Sequence, residues 1–276
     1  MEIIKIINNN IVSSLDSKNR EIIVMGKGLG FGKKVGMLIE EDQIEKIFRM
    51  AGKGETKRFE DLLSEVPPEI LQLVTEIVNQ AKQKISEKIQ ESIYLTLTDH
   101  INFARARHKE NIQFHNPLFY DIKRLYKTEY QVGKEAVALI NERLGTDLPK
   151  EEAASIALHF INAKMGKDLP ETVNMARVIQ NTLKIIQYSF GIELEEDSPH
   201  AEYFIDYVKS FAQRVIGYTM SETRDEEMER IVASKYRKAH LCVKRIADYI
   251  MSEYKIAITP SESMDLTVQV ERITKR

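Results

Sequence analysis

The first fifty residues alternate short apolar runs with polar turns. The runs Glu2–Ile7 and Glu21–Met25 are rich in β-branched residues and are bounded by Asn, Asp, Ser and Gly. This pattern is typical of strands joined by turns, and a further strand is predicted at Met37–Ile39. The chain is therefore expected to open with a small antiparallel sheet. The apolar spacing of Asp42–Met50 would by itself allow a helix there.

The pattern changes to a helical one beyond a short connecting segment. Ala51–Arg58 is charged and contains glycine, which indicates a linker. Further on, apolar residues recur at helical spacing, and Pro67 and Pro68 are well placed at a helix start. The predicted helical runs are Ile70–Ala81, Glu91–His108, Pro117–Leu144, Lys150–Lys164, Glu171–Phe190, Glu202–Gly217, Ser221–Tyr254 and Ser261–Arg276.

The helical part of the chain carries the same pattern twice. TLTDHINFAR corresponds to YFIDYVKSFAQR, and LPKEEAASIALHFINA corresponds to ITPSESMDLTVQVERI. Asp99 and Asp206 are 107 residues apart, and His159 and Gln269 are 110 residues apart, which indicates a duplicated domain. We predict a multi-domain α+β protein with a small antiparallel β module at residues 1–55 and a linker at residues 56–66. Two homologous all-α helical bundles are expected to follow at residues 67–170 and 171–276.

Composition narrows the class of protein. The chain has 276 residues, 43% of them hydrophobic and 30% charged, and a net charge of -2. No apolar run reaches the roughly 20 residues of a membrane span, and no secretory signal is recognisable. The single cysteine, Cys242, cannot form an internal disulfide and lies in an amphipathic helical pattern. These features predict a cytoplasmic protein.

Positive charge and polar loop residues concentrate in the predicted sheet. Residues 1–39 contain six Lys and Arg residues but three Asp and Glu residues. Asn8, Asn9 and Asn10 stand where a strand should bury side chains. The loop Met25–Lys34 alternates four glycines with lysines and one phenylalanine, and it matches neither a P-loop nor a dinucleotide fingerprint. Asn can form hydrogen bonds with the edge of a base, an exposed aromatic ring can stack on an unpaired base, and Lys can form an ion pair with phosphate. Taken singly, these features are more often structural, but together they favour RNA binding.

Two of the six histidines lie in the first helical bundle at positions open to three interpretations. His100 follows Asp99, and His159 lies on an apolar helix. A core histidine is the plainest interpretation, and metal binding is disfavoured because HxxxH and HExxH pairs are absent. A phosphoacceptor pair is the third interpretation, since a neutral imidazole is a competent nucleophile and a neighbouring carboxylate can orient it.

The N-terminal stretch KIINNNIVSSLDSKNREIIVMGKGLGFGKK closely resembles the RNA-binding module of the BglG/SacY/LicT family of transcriptional antiterminators, and the resemblance runs from Met1 to Arg276. It implies a homodimer whose two sheets grip an RNA hairpin with unpaired bases. It also implies a fourth strand within Asp42–Met50, which we adopt over the helix. By resemblance, the RNA-contact positions are Lys5, Asn8, Asn10, Gly26, Lys27, Gly28 and Phe31.

The helical bundles resemble the PRD domains of the same family, which the sugar phosphotransferase system phosphorylates. This implies phosphorylation of His100 and His159, and we take Asp99 as the carboxylate that orients His100. The second bundle has Tyr207 and Gln269 where the family has histidine. The resemblance therefore predicts that the second domain's activating phosphorylation by the carrier HPr is lost or bypassed.

We expect an antiterminator that is not an enzyme and needs no metal or cofactor. Its expected partners are a leader-RNA hairpin, the sugar permease, a second copy of itself and, in a weakened way, HPr. A phosphohistidine carrier without RNA binding is the alternative. A DNA-binding activator with the same regulation domains should show an upstream helix-turn-helix, and this N terminus has none.

Overall fold

The structure is a computed structural model that describes residues 1–85, 89–112, 114, 116–166, 169–194 and 198–275. The chain forms two compact units, residues 1–167 and residues 168–276. The first unit contains the sheet and the first helical repeat, and the second contains the second repeat. In the described part of the chain, no helix is long and apolar enough to cross a membrane.

The sheet has four antiparallel strands in sequential order. They are β1 (Lys5–Asn8), β2 (Ile11–Leu15), β3 (Glu21–Met25) and β4 (Lys46–Phe48). The predicted sheet and its fourth strand are confirmed. The strand predicted at Met37–Ile39 is wrong, because this segment makes only an isolated bridge between Glu2 and Leu38. Asn9 and Asn10 lie in the turn between β1 and β2, where polar side chains need no burial, and not within a strand.

Both faces of the sheet are covered. On one face, buried apolar residues of the module itself form a core cluster: Ile3, Val12, Ile22, Val24, Leu29 and Ile39. Ile23 and Phe48 are cross-strand partners on β3 and β4 and share the other face, because neighbouring residues of a strand point to opposite sides. The Phe48 ring contacts Phe59 edge-on at 5.5 Å and Tyr94 at 4.9 Å. The helical repeat therefore supplies the second layer of the module's core.

Residues 53–65, which overlap the predicted linker, form a helix, α1 (Lys53–Glu65). Thr56, Phe59, Glu60 and Leu63 are buried along one side, at the i, i+3, i+4, i+7 spacing of an amphipathic helix. This side packs on β1 and β3. Burial against the sheet stabilises a helix despite Gly52 and Gly54, which had suggested a linker.

Among the described residues, each repeat contains five helices. In the first unit they are α2 (Pro68–Lys84), α3 (Ser92–Lys109), α4 (Phe119–Leu125), α5 (Lys127–Leu144) and α6 (Glu152–Met165). In the second they are α7 (Leu169–Phe190), α8 (Pro199–Ile216), α9 (Glu226–Lys235), α10 (Arg237–Tyr254) and α11 (Pro260–Thr274). The same six pairs of helices pack against each other in both units. In the first unit they are α2/α3, α2/α5, α3/α6, α4/α5, α4/α6 and α5/α6, and in the second α7/α8, α7/α10, α8/α11, α9/α10, α9/α11 and α10/α11. The helix packing supports the duplication inferred from sequence.

Two long helical runs predicted from periodicity are each broken once. Tyr126 separates α4 from α5 with φ -127° and ψ 59°, and Tyr236 separates α9 from α10 with φ -114° and ψ 47°. The two tyrosines are 110 residues apart, the same offset that relates His159 to Gln269. The apolar period continues through both breaks, so periodicity alone could not locate them.

Candidate nucleic-acid interface and histidine site

The β1–β2 turn and the glycine loop after β3 form one hydrogen-bonded network. The backbone N–H of Gly28 donates to the Asn10 Oδ1 at 2.8 Å, and the backbone N–H of Gly26 donates to the Asn10 carbonyl at 2.9 Å. The backbone N–H of Asn10 donates to the Asn8 Oδ1 at 3.0 Å. Asn10 thus uses its side-chain oxygen to hold the loop, which leaves its side-chain Nδ2 as a donor for a ligand.

Two of the loop's glycines, Gly26 and Gly28, show why larger residues do not fit there. A Cβ at Gly26 would lie 1.9 Å from the Gln43 carbonyl oxygen, so a larger residue would push the loop from the segment before β4. Gly28 has φ +70°, in the left-handed region that favours glycine. The loop formed this way presents Phe31 with 73% of its surface exposed, beside an exposed Lys27. Buried Leu29 anchors the same loop to the sheet core.

Lys5 and Asn8 face α1 in this structure. Lys5 Nζ lies 2.8 Å from Glu60 Oε2, and the Asn8 Nδ2 donates to the Leu63 carbonyl at 3.3 Å. The hydrogen bond to Glu60 raises the pKa of Lys5, and burial together with the Glu60 charge raises the pKa of Glu21. Six of the seven predicted RNA contacts therefore lie in or beside the Asn10–Gly28 network, and one of them, Asn8, also contacts α1. The seventh, Lys5, is engaged by a carboxylate.

The structure places His100 and His159 side by side. Their ring centroids are 4.9 Å apart, with His100 on α3 and His159 on α6. His100 Nε2 lies 3.0 Å from Glu152 Oε2, and Arg107 Nη2 donates to Glu152 Oε1. Glu152 is buried, with 2% of its side chain exposed, whereas 15% of the His100 side chain is exposed. Asp99 is exposed, so the carboxylate that contacts His100 is Glu152 and not Asp99 as expected.

His159 differs from His100 in its surroundings. Its Nδ1 is buried without a hydrogen-bond partner among the described residues. Burial, with a smaller contribution from the neighbouring His100, lowers the pKa of His159 to about 3. The His159 ring is therefore neutral at physiological pH, as a nucleophilic imidazole must be.

The second unit retains the charged pair without the histidines. Arg214 donates to both oxygens of Glu262, from Nε at 2.6 Å and from Nη2 at 2.8 Å. Tyr207 lies beside this pair, with the Arg214 guanidinium 6.0 Å from its ring centroid. Burial and the Glu262 carboxylate raise the pKa of Tyr207, so its hydroxyl stays neutral. Where the first unit shares its carboxylate between Arg107 and His100, the second gives both oxygens to Arg214.

Gln269, on the same helix as Glu262, lines a cavity in the second unit. The cavity has a volume of about 380 Å³, and its lining also includes His200, Tyr203 and Arg272. Gln269 is partly exposed there.

Sequence reasoning did not identify the Arg–Glu pairs, although a signal was present. Arg107 and Arg214 are separated by 107 residues, and Glu152 and Glu262 by 110, the two offsets that already defined the repeat. Identical charged residues at both offsets could have been found by comparing the halves position by position. Their pairing, however, depends on the packing of α3 against α6 and of α8 against α11.

Models of two known domain families match three parts of the chain. The CAT RNA binding domain matches residues 1–57, and the PRD domain matches residues 75–163 and 180–273. The chain is 40% identical over 276 residues to "Transcription antiterminator LicT" of Bacillus subtilis (strain 168), with 100% of both chains covered. It is 38% identical over 273 residues to "Beta-glucoside operon antiterminator" of Dickeya chrysanthemi, covering 99% of this chain and 96% of that protein.

A solved structure is similar to the first unit. The crystal structure of GlcT CAT-PRDI aligns with a TM-score of 0.53 at 34% sequence identity, covering 59% of this chain and 97% of that one. The similarity supports the arrangement of a four-stranded module followed by a helical repeat.

Proposed function

Because the chain belongs to the BglG/SacY/LicT family of transcription antiterminators, we propose that it binds a hairpin in nascent leader RNA and so prevents the terminator hairpin from forming. The operon would be one for sugar use, and the relative named for a β-glucoside operon makes β-glucosides the first sugars to test. The site of action would be the cytoplasm, where the transcript is made.

The observation that carries this proposal is the Asn10–Gly28 network with the exposed Phe31 beside it. An aromatic ring with 73% exposure has no packing role and is free to stack on an unpaired base. Asn10 offers its side-chain Nδ2 as a donor, next to the backbone of Gly26 and Gly28, where no side chain blocks the approach of a ligand. Lys27 adds a charge for phosphate.

A titration of the full chain with a leader hairpin that has internal loops tests RNA binding. Phe31→Ala and Asn10→Ala should each weaken binding strongly while the helical units stay folded. The matched control is Tyr188→Ala, which removes an aromatic ring that is 89% exposed in the second unit. Unchanged binding by both loop variants would remove the contact assignment.

We propose that the active species is a homodimer. Three apolar side chains of the module are exposed: Ile4 by 40%, Val35 by 65% and Leu38 by 69%. Their segments lie side by side, because the Ile3 N–H donates to the Met37 carbonyl and the Gly36 N–H donates to the Ile3 carbonyl. An apolar patch on a small module is typical of an interaction surface. Two modules on one hairpin gain from effective concentration, so control of dimer geometry is a sufficient switch.

We propose further that the sugar permease controls this dimer by phosphorylating His100 or His159 when no sugar is transported. A phosphoryl group adds about two negative charges at a packed site, which can reorganise an interface. The Glu152–His100 contact and the neutral His159 support an imidazole ready to accept it. Tyr207 and Gln269 cannot accept a phosphoryl group in this way, so input from HPr would be weak or absent.

Incubation with phosphoenolpyruvate, the general phosphotransferase proteins and the permease tests this regulation. Label should appear at His100 or His159, and labelling confined to residues 171–276 would contradict it. A carrier without RNA binding, the alternative function, would take the label but would not shift the hairpin.

A further inference from the structure

Glu152 contacts two other charged or titratable groups, Arg107 and His100, at one buried point. Its Oε1 accepts from Arg107 and its Oε2 lies 3.0 Å from His100 Nε2, with 2% of the side chain exposed. The Arg107 guanidinium itself contacts two aromatic rings, 5.0 Å from the Phe103 centroid and 4.2 Å from that of Phe114. The carboxylate therefore has little freedom to move away from His100.

This geometry determines which nitrogen of His100 carries the proton. A guanidinium only donates, so its ion pair with Glu152 makes that side chain a carboxylate, which only accepts. The contact then requires a proton on Nε2. A neutral imidazole has one N–H, so the nucleophilic lone pair lies on Nδ1.

We propose that Glu152 is a positioning residue that selects this tautomer of His100, so that a phosphoryl group enters at Nδ1. The inference rests on the proposed function only in treating His100 as a phosphoacceptor. In the step with a donor that carries its phosphoryl group on nitrogen, such as phosphoramidate, the Nδ1 lone pair attacks the phosphorus and the donor's N–P bond breaks. Its electron pair stays on the donor nitrogen, which takes a proton from solvent.

The product also favours this assignment. A ring with N–P at Nδ1 and N–H at Nε2 is cationic, and the Glu152 carboxylate stabilises that charge without moving. The neighbouring His159 ring, 4.9 Å away, is neutral and adds no opposing charge.

The second unit shows how the pair behaves when the imidazole is missing. With Tyr207 in place of His100, Arg214 takes both oxygens of Glu262. Both repeats therefore share the Arg–Glu ion pair. In the first unit, one oxygen of the carboxylate contacts the histidine Nε2 instead of the arginine.

The tautomer can be read without any phosphoryl donor. In the full chain with ¹⁵N-labelled histidine, long-range ¹H–¹⁵N spectra at neutral pH should show the His100 proton on Nε2, with His100→Gln identifying the signals. Glu152→Gln should shift the ratio of the two tautomers by about tenfold or more, since a hydrogen bond to a charged group contributes about 1.5–3 kcal/mol. Glu262→Gln makes the same change in the second unit and should leave the His100 signals unaltered. A proton on Nδ1 in the unmodified protein would overturn the proposal.

The site of phosphorylation is tested with phosphoramidate, a small phosphoryl donor. Antibodies specific for each phosphohistidine isomer, applied to the isolated peptide, should detect Nδ1-phosphate on His100, and Glu152→Gln should shift the product toward Nε2. Nε2-phosphate in the unmodified protein would refute the assignment. If phosphoramidate labels Nδ1 but the phosphotransferase proteins transfer nothing, the proposed regulation fails while this inference stands.

A second variant covers the case in which Glu152→Gln does not fold. Tyr207→His places an imidazole beside Glu262, and its proton should lie on Nε2. The added change Glu262→Gln should abolish that preference. An introduced imidazole with the same tautomer ratio in both backgrounds would count against a positioning role for the carboxylate.

Discussion

Replacing Glu60 by Gln should strengthen RNA binding. In this structure Glu60 holds Lys5, a predicted phosphate contact, at 2.8 Å, and its side chain is 6% exposed while that of Lys5 is 52% exposed. RNA phosphate must compete with Glu60 for the same ammonium group. Glu60→Gln removes the negative charge with little change in shape and leaves Lys5 free to turn to the ligand.

The magnitude follows from the exposure of Lys5. An ion pair with one exposed partner contributes about 0.2–1 kcal/mol, so its loss should raise the affinity about 1.4- to 5-fold for each module. With two modules on one hairpin, the combined gain is about 2- to 30-fold. One additional phosphate contact in each module should also steepen the dependence of log affinity on log salt by about 0.7–0.9 per contact.

Fluorescence anisotropy with a labelled hairpin, at several salt concentrations, measures both quantities. Glu65→Gln is the matched control, because Glu65 lies on the same helix, is exposed and loses the same charge. Thermal unfolding verifies that both variants keep α1 packed. Equal affinity and equal salt dependence for the two variants would refute competition between Glu60 and RNA.

Three further predictions concern the loop, the second repeat and pH. Phe31→Ala should leave the unfolding temperature unchanged, because the ring is 73% exposed, and should cost about 1–3 kcal/mol of binding for each stacked base, measured by the same anisotropy titration. Tyr207→His combined with Gln269→His should create phosphorylation that depends on HPr and phosphoenolpyruvate, measured by label in the C-terminal half; no label would indicate that other residues of the second unit also block the input. Because burial lowers the pKa of His159 to about 3, below its unfolded value of 6.5, the unfolded state binds more protons between these values. The free energy of unfolding therefore carries no penalty from His159 above about pH 6.5, and it decreases as pH falls from there toward 3. Denaturant unfolding of His159→Gln should show a weaker pH dependence than that of the unmodified protein.

The two repeats have kept different parts of one site. The first unit has the histidines and the Arg–Glu pair, and the second has only the Arg–Glu pair. A buried carboxylate that loses its partner is left as an uncompensated charge, so both members of the pair tend to stay. The histidines carry no such constraint, since Tyr207 and Gln269 occupy their places without a buried unpaired charge. The second unit can therefore have neutral residues at both positions and still fold.

The order and type of the main elements could be predicted from the amino-acid pattern. β-Branched runs between turn residues predicted the sheet, and a helical apolar period predicted the bundles, because burial of one face sets both patterns. Comparison of the two halves predicted the duplication. For Asp42–Met50 the apolar period alone would have allowed a helix, whereas the resemblance implied a strand, and β4 at Lys46–Phe48 confirmed the strand.

Only the tertiary structure decided which side chains meet. Asp99 is adjacent to His100 in sequence yet points to solvent, since successive residues of a helix face different directions, while Glu152 reaches His100 from another helix. Helix α1 forms because Phe59 and Leu63 can be buried against the sheet, a contribution that local composition does not contain. Local pattern thus determined most of the elements and their repetition, and the packing of one element on another determined helix α1, the partner of Lys5 and the carboxylate that contacts His100.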